Sequence, residues 1–473
     1  MLPLALLSLI AIQSTPTQGV DRLIDPHHVP APAEYKVNGV DKHAIWIVRG
    51  KKLSIDFTAR RLIANAGEGP RTGIGILLDH CEDVSIKNLD VEGFQQNIVL
   101  RDCKNVKLLK CKASNSRAIR MTLAGKPTDI RLNLTDLAAW RTYGAGIWLE
   151  RCLRCAVQQC SATDSQNGIV AIDTDRSLIY DNECSFNGGW GIALWHCAND
   201  TLAWNHADFC NRKMAEGWGG NSAGIAVVNG SELNEFVANS LSHDGDGLIL
   251  SGKSSEKFDK KKMAYPGACR FNFIAYCDGS LASNNAFFDR YSQINLYFKN
   301  QATESNTGMA ITNSDFTLLL QNDVKKNRTD GVAIFQGQGN SLFRNVIEDN
   351  LSTGVHIWSG ADEATSDHPA KHNTVITNRI ANSPNAVNLE GSIDSQILSN
   401  TIEQAPLPPG FKQGATSFSQ VQLYSGWQNR KEAKSIDDWM FNHKPVNWKF
   451  FREASPDKGL DSLKPGEYGP IRS

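Results

Sequence analysis

The stretch "GIWLERCLRCAVQQCSATDSQN", residues 146 to 167, is followed at once by "GIVAI" at 168. It shows the unit that repeats along most of this chain. A short apolar run after Gly, Asn or Ala recurs as "GILLD" at 75, "NIVLR" at 97, "GIALW" at 191, "GIAVV" at 224, "GVAIF" at 331 and "AVNLE" at 386. Most steps between such runs are about 22 residues long, and inserted segments explain the longer steps. A fixed period of this length is typical of solenoids.

Each unit predicts three short strands joined by tight turns. Apolar residues alternate in runs of three to five and are separated by Asn, Gly and Asp, a pattern that excludes a long helix. About 22 residues hold three such strands and turns, which is one coil of a solenoid whose coils stack about 4.8 Å apart. We therefore predict an all-β fold, a single-stranded right-handed parallel β-helix of about 13 to 15 coils with loop inserts.

The repeat also predicts the domain organisation. Residues 1–19, "MLPLALLSLIAIQSTPTQG", contain an apolar run too short to span a bilayer and are typical of a signal peptide, so we expect a secreted or periplasmic protein. An N-terminal cap is expected at 20–52 and the β-helix at 53–405. A Pro/Gly-rich break then opens a C-terminal capping extension at 406–473. No later segment is apolar enough to predict a membrane span.

Charge and motif spacing exclude two classes of partner. The 473 residues carry a formal net charge of −1, which gives no electrostatic case for nucleic acid. The stretch "GLILSGKS", 247–254, matches the phosphate-loop pattern, but that pattern needs a helix starting at its Lys. In the repeat register, Gly247 begins a strand and Lys253 lies in the turn after it. We therefore expect no nucleotide.

The eleven cysteines follow the same register. Six residues after a strand's first position stand Cys81, Cys103, Cys152 and Cys197, so they should form one column at a corner. Cys111 and Cys160 form a second column. Because a free thiol behaves as a small, readily buried hydrophobe, we predict stacked core thiols rather than disulfides or metal ligands.

The third and fifth residues of each run should face outward and form columns along one surface. They place aromatic rings beside charges, a combination that suits a polysaccharide, because sugar C–H faces stack on rings. The alternative is that these rings only cover the sheet beneath inserted loops. The column contains Arg101, Arg120, Trp148, Glu150, Trp195, His356, Trp358 and Glu390, and the predicted substrate-binding residues are Arg120, Trp148, Glu150, Trp195 and Trp358.

The Asn-rich coils resemble the pectate-lyase-like superfamily of right-handed parallel β-helices. That superfamily includes polysaccharide lyases, glycoside hydrolases, epimerases and non-catalytic proteins, so the resemblance implies the fold more sharply than the activity.

A weaker, local resemblance is to lyases of the alginate and chondroitinase B type. It is carried by "NGSE" at 229–232, "DGDGLILSGKSS" at 244–255 and "AFFDR" at 286–290, in that order on successive coils. It implies β-elimination from an acidic polysaccharide, with Lys253 as base and Arg290 near the departing oxygen. A Ca²⁺ ion would offset the charge of the uronate. Its implied ligands are Asn229, Glu232, Asp244 and Asp246. The alternative is that these side chains only stabilise turns.

Two other functions stay open. "AIDTD" supplies Asp173 and Asp175, and the next coil supplies His196, which resembles part of the polygalacturonase pattern and favours a hydrolase or a uronate epimerase. The third reading is a non-catalytic protein that binds glycans or serves as a scaffold. On the leading interpretation the partner is an acidic polysaccharide.

Overall fold

The computed structural model describes residues 44–64, 71–116, 133–214, 217–253, 259, 265–360 and 368–404, together with the short strands Arg22–Leu23 and Glu34–Val37. The described chain forms a parallel β-helix with three sheets. Each coil passes from sheet 1 through corner 1 to sheet 2, through corner 2 to sheet 3, and through corner 3 to the next strand of sheet 1. The predicted all-β class and parallel β-helix are confirmed.

Sheet 1 has fourteen parallel strands, which agrees with the predicted 13 to 15 coils. They are Arg22–Leu23, Ala44–Val48, Ile74–Asp79, Gln96–Arg101, Ala145–Glu150, Ile169–Ile172, Trp190–Trp195, Ala223–Val228, Asp246–Ser251, Asn285–Arg290, Thr307–Thr312, Val332–Phe335, Thr353–Trp358 and Asn385–Glu390.

Sheet 2 has thirteen strands. They are Ser54–Asp56, Ser85–Lys87, Lys107–Leu109, Ala156–Gln158, Leu178–Tyr180, Thr201–Ala203, Glu235–Val237, Phe273–Ala275, Leu296–Phe298, Leu318–Leu320, Ser341–Phe343, Thr374–Ile376 and Gln396–Leu398.

Sheet 3 is formed in two pieces, of four and five strands. The first contains Glu34–Val37, Arg61–Ala64, Asp90–Glu92 and Lys112–Ser114, and the second contains Gln301–Thr303, Asp323–Lys325, Val346–Glu348, Arg379–Ala381 and Thr401–Glu403. A two-stranded antiparallel ribbon, Lys213–Met214 with Gly217–Trp218, and one helix, Leu137–Tyr143, complete the described elements.

The pairing register between neighbouring strands of sheet 1 follows the predicted period of about 22 residues. Ile147 pairs with Ile169 in the neighbouring strand, 22 residues further along the chain. Strands at 34–37 and 44–48 already pair with strands 61–64 and 74–79, so the solenoid begins before residue 53, where the repeat was expected to start. The predicted signal peptide at 1–19 and capping extension at 406–473 lie outside the described residues.

Inward residues alternate with outward ones as predicted. Leu248 and Leu250 lie in the central core, whereas Ile249 packs in a separate cluster on the outside of sheet 1. Glycine recurs at the start of these strands because the next coil is close. A Cβ on Gly308 would lie 2.5 Å from the carbonyl oxygen of Gly331. Gly247, the first glycine of the phosphate-loop pattern, lies inside strand Asp246–Ser251.

Cysteines occupy the predicted columns. All eleven are buried and free, so the prediction of core thiols is confirmed. Thr174 takes the place of a cysteine between Cys152 and Cys197 in the first column, as the backbone hydrogen bonds along corner 1 show. In the second column, the backbone N–H of Cys111 donates to Sγ of Cys160 at 3.4 Å.

Buried asparagines at corners 1 and 2 stabilise the stack. At corner 2, Asn345 Nδ2 donates to Asn378 Oδ1 at 2.9 Å, and Asn345 Oδ1 accepts from the backbone N–H of Asn322 at 2.9 Å. The same pattern repeats from coil to coil. We call this set the corner 2 ladder, whose members are Asn182, Asn205, Asn239, Asn300, Asn322, Asn345, Asn378 and Asn400.

The ladder at corner 1 contains one carboxylic acid, Asp200, which lies between Ser177 and the amide of Asn234. Asp200 Oδ1 accepts from the backbone N–H of Ser177 at 2.7 Å, and Oδ2 accepts from the hydroxyl of Thr174. The N–H of Asp200 donates to Asn234 Oδ1, as an asparagine would. Burial raises the pKa of Asp200 to about 7, although the hydrogen bonds from Thr174 and Ser177 oppose that rise.

We expect Asp200→Asn to flatten the pH dependence of stability. A raised native pKa means that the folded protein holds a proton that the unfolded chain releases, so stability is lost as pH rises from about 4 towards 7. The loss is on the order of 4 kcal/mol for a shift of this size. Urea unfolding at pH 5 and pH 8 measures the larger part of it, about 3 kcal/mol. The control is Asp164→Asn, since Asp164 is exposed, and equal pH profiles for wild type and Asp200→Asn would contradict the assignment.

Candidate functional site

A row of polar residues runs along corner 1, where each strand of sheet 1 ends. Each of these residues has a left-handed backbone, with φ between 51 and 54. Asn, Asp and His adopt this conformation more readily than most residues do. We call the row the polar ridge, and its members are His80, Asp102, Arg151, Asp173, His196 and Asn229.

Backbone hydrogen bonds hold consecutive ridge members on consecutive coils. The N–H of Arg151 donates to Ile172 O at 2.9 Å, and the N–H of Asp173 donates to Trp195 O at 3.0 Å. Successive side chains therefore project from the corner at the coil spacing, about 4.8 Å.

Asp173 and His196 form a hydrogen-bonded pair at the centre of the ridge. His196 Nδ1 lies 2.7 Å from Asp173 Oδ1, and the two side chains are 65% and 44% exposed. Because an ionised carboxylate only accepts hydrogen bonds, Nδ1 carries the proton and Nε2 is left with its lone pair. Gly230, with φ 77, lies beside the imidazole: a Cβ there would be 3.8 Å from Cδ2 of His196.

Asn229 and Lys253 continue this arrangement on the next coils. A Cβ on Gly267 would lie 3.0 Å from Asn229 Oδ1 and 3.3 Å from Lys253 Cγ, so the two side chains face each other across that glycine. The N–H of Lys253 donates to Pro266 O at 3.0 Å. Corner 1 therefore brings Asp173, His196 and Asn229 into one row, and Lys253 follows Gly252, which occupies the row position on the next coil.

At the other end of the ridge, charges are paired. Arg151 binds Asp102 through two bonds, Nε to Oδ1 at 2.6 Å and NH2 to Oδ2 at 2.8 Å, and these bonds lower the pKa of Asp102. Asp79 accepts from Arg49 Nε at 2.7 Å. Burial disfavours the charge on Asp79, but its hydrogen bonds from Arg49 and His80 outweigh burial and lower its pKa.

Three arginines line a groove of about 490 Å³ beside these residues. Glu150 Oε1 accepts from Arg141 at 2.9 Å and from Arg151 at 2.6 Å. Arg101 is less tightly held, with its Nε 3.9 Å from Glu150 Oε2. Because Arg151 also binds Asp102, three guanidinium groups and two carboxylates leave one positive charge that an acidic ligand can neutralise.

Two of the predicted sugar-binding rings are covered. Trp148 and Trp195 do face outward from sheet 1, but they are only 1% and 6% exposed. Helix Leu137–Tyr143 packs over them, with the ring of Trp140 5.1 Å from that of Trp195. Asp136 caps this helix by accepting from the N–H groups of Ala138 and Ala139. For these two rings the structure favours the alternative, that they cover the sheet beneath an insert.

Other predicted contact residues lie elsewhere. Trp358 is partly exposed and stacks on His356, with ring centroids 4.1 Å apart. Glu150 is buried beneath the arginines of the groove. Arg120 lies outside the described residues.

Lys253 and Arg290 stand on neighbouring coils but point in different directions. Arg290 pairs in register with Ser251, two residues before Lys253. Its Nε donates to Ser251 Oγ at 3.1 Å and its guanidinium lies over Phe288, 5.1 Å from the ring centroid. Arg290 therefore lies along the outer face of sheet 1, whereas Lys253 lies past the corner.

The four predicted calcium ligands are not brought together. Asn229 and Glu232 lie at corner 1, where a sheet 1 strand ends, whereas Asp246 begins the next strand and Asp244 precedes it. A strand of six residues, roughly 20 Å, separates the two pairs. Both Asp244 and Asp246 are buried, and burial raises the pKa of each. The predicted site is therefore not formed by these residues.

Asp175 is close to the central pair but has its own partner. It lies two residues after Asp173 and bridges to Ala198 of the next coil. Its Oδ1 accepts from Asn199 Nδ2 at 2.8 Å. It supports the corner rather than contacting His196.

Sequence reasoning missed the arginine groove and half of the ridge. His80, Asp102 and Arg151 share the position after the sheet 1 strand with Asp173 and His196, so reading that column would have found them. Arg141 has no such signal, because it belongs to the inserted helix.

One group of possible metal ligands occurs within the described residues. Asp79, His80 and Asp102 each offer one donor atom, and these atoms lie within 4.8 Å of one another. A family model described as "Periplasmic copper-binding protein (NosD)" matches residues 62–260 and 268–402. The chain belongs to the NosD family. This confirms the prediction of a secreted or periplasmic protein.

Comparisons with other proteins add the following. Among curated proteins, no sequence matches this NosD-family chain. The periplasmic alginate epimerase AlgG is 12% identical, with a TM-score of 0.43 over 81% of this chain and 82% of AlgG. The AlgE6 A-module, a mannuronan C-5 epimerase of Azotobacter vinelandii, is 13% identical, with a TM-score of 0.39 over 81% and 87%. Tailspike protein 3 of bacteriophage CBA120 is 10% identical, with a TM-score of 0.37 over 82% and 52%.

The described part of the chain contains no helix with the length and apolarity needed to cross a membrane.

Proposed function

We propose that this NosD-family protein acts on an acidic polysaccharide that lies along the polar ridge, and that it removes the proton next to a uronate carboxylate. The observation that carries the proposal is the exposed Asp173–His196 pair, in which the 2.7 Å hydrogen bond leaves Nε2 of His196 as a base. Such a base must have an oriented ring and an open approach, and this pair has both.

The reaction divides among the residues of the row. His196 Nε2 takes the proton from the carbon that bears the carboxylate, and the electron pair of the C–H bond moves into that carboxylate. The ammonium group of Lys253 and the amide of Asn229 offset the negative charge that develops there. Asp173 stabilises the imidazolium that results.

Two outcomes share this first step. In β-elimination the electron pair forms a carbon–carbon double bond, the bond to the glycosidic oxygen breaks, and that oxygen takes a proton from solvent. In epimerisation a proton returns to the opposite face of the same carbon. The assignment of Lys253 as base and Arg290 as acid remains a prediction, and the direction of Arg290 gives it less support than the pair at His196 has.

The arginine groove supports an acidic rather than a neutral polymer. It adjoins the ridge, so carboxylates on neighbouring sugars can contact Arg101, Arg141 and Arg151 while one sugar is held at His196.

The test is to incubate the full chain with alginate, polygalacturonate and dermatan sulfate in D₂O. Deuterium uptake at the carbon next to the carboxylate, measured by NMR, reports proton removal followed by epimerisation, and ultraviolet absorbance of the unsaturated product reports elimination, in which that carbon keeps no hydrogen. Binding without deuterium uptake or cleavage on any polymer would favour the non-catalytic reading and overturn the catalytic one.

We propose copper binding as a second function, because the family is described by it and because one group of donor atoms suits it. The imidazole of His80 and the carboxylates of Asp79 and Asp102 are donor types that accept Cu(II). Both carboxylates are already paired, with Arg49 and Arg151, so an ion must compete with two guanidinium groups. These residues would hold the ion at the surface of corner 1.

Copper binding is expected to depend on His80. In a Cu(II) titration followed by electron paramagnetic resonance, His80→Ala should lower the affinity by about tenfold or more, because imidazole is the strongest donor of the three. His243→Ala is the matched control, since His243 is an exposed histidine at another corner. If His80→Ala and His243→Ala lowered the Cu(II) affinity equally, His80 would not be a ligand of the ion.

A further inference from the structure

A second groove lies at corner 2 of the first coils, on the other side of sheet 2 from the polar ridge. It has a volume of about 430 Å³ and is lined by Arg60, Arg61, Asn88, Asp90, Lys110 and Lys112. Asn88 and Lys110 occupy the one-residue left-handed turn of successive coils, with φ of 55 each. The strands of sheet 3 that follow those turns begin with Asp90 and Lys112. The coil spacing thus places these charges in adjacent rows.

Charges in this groove are unbalanced. Asp90, the carboxylate of the lining, lies 3.2 Å from Arg61, which also binds Glu92 at 2.6 Å. Within the described residues, Lys110 and Lys112 make no ion pair, and Nε of Arg60 is buried without a hydrogen-bond partner. Four cationic side chains, Arg60, Arg61, Lys110 and Lys112, therefore share the groove with one carboxylate, Asp90, which leaves an excess of positive charge.

The surrounding coils reinforce this charge. Residues 44–116 contain 12 basic and 8 acidic residues, although the whole chain has a formal net charge of −1. Lys87 and Lys107 extend the basic surface from the groove across the outside of sheet 2, since Ile86 and Leu108 between the outward positions are buried in the core.

We propose that this groove binds a phosphate group. A compact ion with two negative charges and several acceptor oxygens matches two ammonium groups and a guanidinium that converge on a small space. Asn88 is held in place by donating to Asp56 Oδ1 at 2.9 Å and to Thr58 Oγ1 at 3.0 Å, which orders the turn that carries it. The phosphate can be free in solution or belong to a lipid headgroup, because both present the same oxygens.

The experiment compares Lys110→Glu with Lys299→Glu in the full chain. Lys299 occupies the same left-handed turn at corner 2, with φ 51, but six coils away. Calorimetric titration with inorganic phosphate should show saturable binding that Lys110→Glu weakens by about tenfold or more and that Lys299→Glu leaves nearly unchanged. Lys112→Gln, which removes a charge without adding one, should give a smaller loss.

A second arm separates the two sources of phosphate. Binding to phosphatidylglycerol vesicles but not to phosphatidylcholine vesicles, competed by inorganic phosphate, assigns the site to a lipid headgroup. Phosphate binding without vesicle binding assigns it to a soluble phosphate. Equal loss in Lys110→Glu and Lys299→Glu, or a wild-type protein that shows no saturable phosphate binding, would overturn the proposal.

Discussion

His196→Ala is expected to lower the rate of proton removal from a uronate polymer by roughly 10²- to 10⁴-fold, the usual contribution of a general base. The reason is structural. Nε2 of His196 is exposed and holds its lone pair because Nδ1 is bound to Asp173. The measurement is the initial rate, at saturating polymer, of deuterium uptake or of ultraviolet absorbance, whichever the wild-type protein shows.

Asp173→Asn and His243→Ala are the comparison variants for His196→Ala. Asp173→Asn keeps the side-chain shape but lets the imidazole adopt the other tautomer, so it should reduce the rate while leaving polymer binding nearly unchanged. His243→Ala should have no effect, because His243 stacks on Phe209 at a different corner. A His196→Ala variant with the wild-type rate would remove His196 from the chemistry and return Lys253 to consideration as the base.

The largest expected effect on stability comes from the corner 2 ladder. Asn345→Ala should lower the free energy of unfolding by about 3–5 kcal/mol. The substitution removes bonds from Nδ2 to Leu319 O and Asn378 Oδ1, and it leaves the N–H and the amide of Asn322 without their buried acceptor. Urea unfolding, followed by circular dichroism, measures the change.

Asn382→Ala is the matched control for the ladder. Asn382 is exposed and its amide donates to Asp349 on the neighbouring coil, a bond that water can replace. We expect a change below about 1 kcal/mol. Similar losses in both variants would mean that buried amides at the corner contribute no more than exposed ones.

Asp200 and Asp289, two buried acidic residues of the solenoid, make the stability of the fold depend on pH in the same direction. Burial raises the pKa of Asp289 to about 6 against hydrogen bonds from Ser314, Asn295, Thr317 and Tyr297, and it raises that of Asp200 to about 7. Both groups stabilise the fold most at low pH and lose that contribution as pH rises through these values.

The sequence predicted the fold more completely than it predicted the candidate site. Trp148 was correctly placed on the outside of sheet 1, yet the inserted helix with Trp140 covers it. Asp173 and His196 were predicted one coil apart, and they do form a pair. Asp244 and Asp246 were expected to bind a cation beside Asn229, but they lie at the opposite end of a strand and are buried.

The sequence by itself determined the coil length, the alternation of inward and outward residues, the cysteine columns and the neighbours along corner 1. Each of these depends on contacts between residues about one period apart, and such contacts recur in every coil. Only the tertiary structure decided which outward residues reach solvent, where Arg141 meets Glu150 and which acids are buried. Those outcomes depend on inserts such as helix Leu137–Tyr143. The packing of such an insert does not follow the repeat, because it depends on the particular side chains that the insert covers.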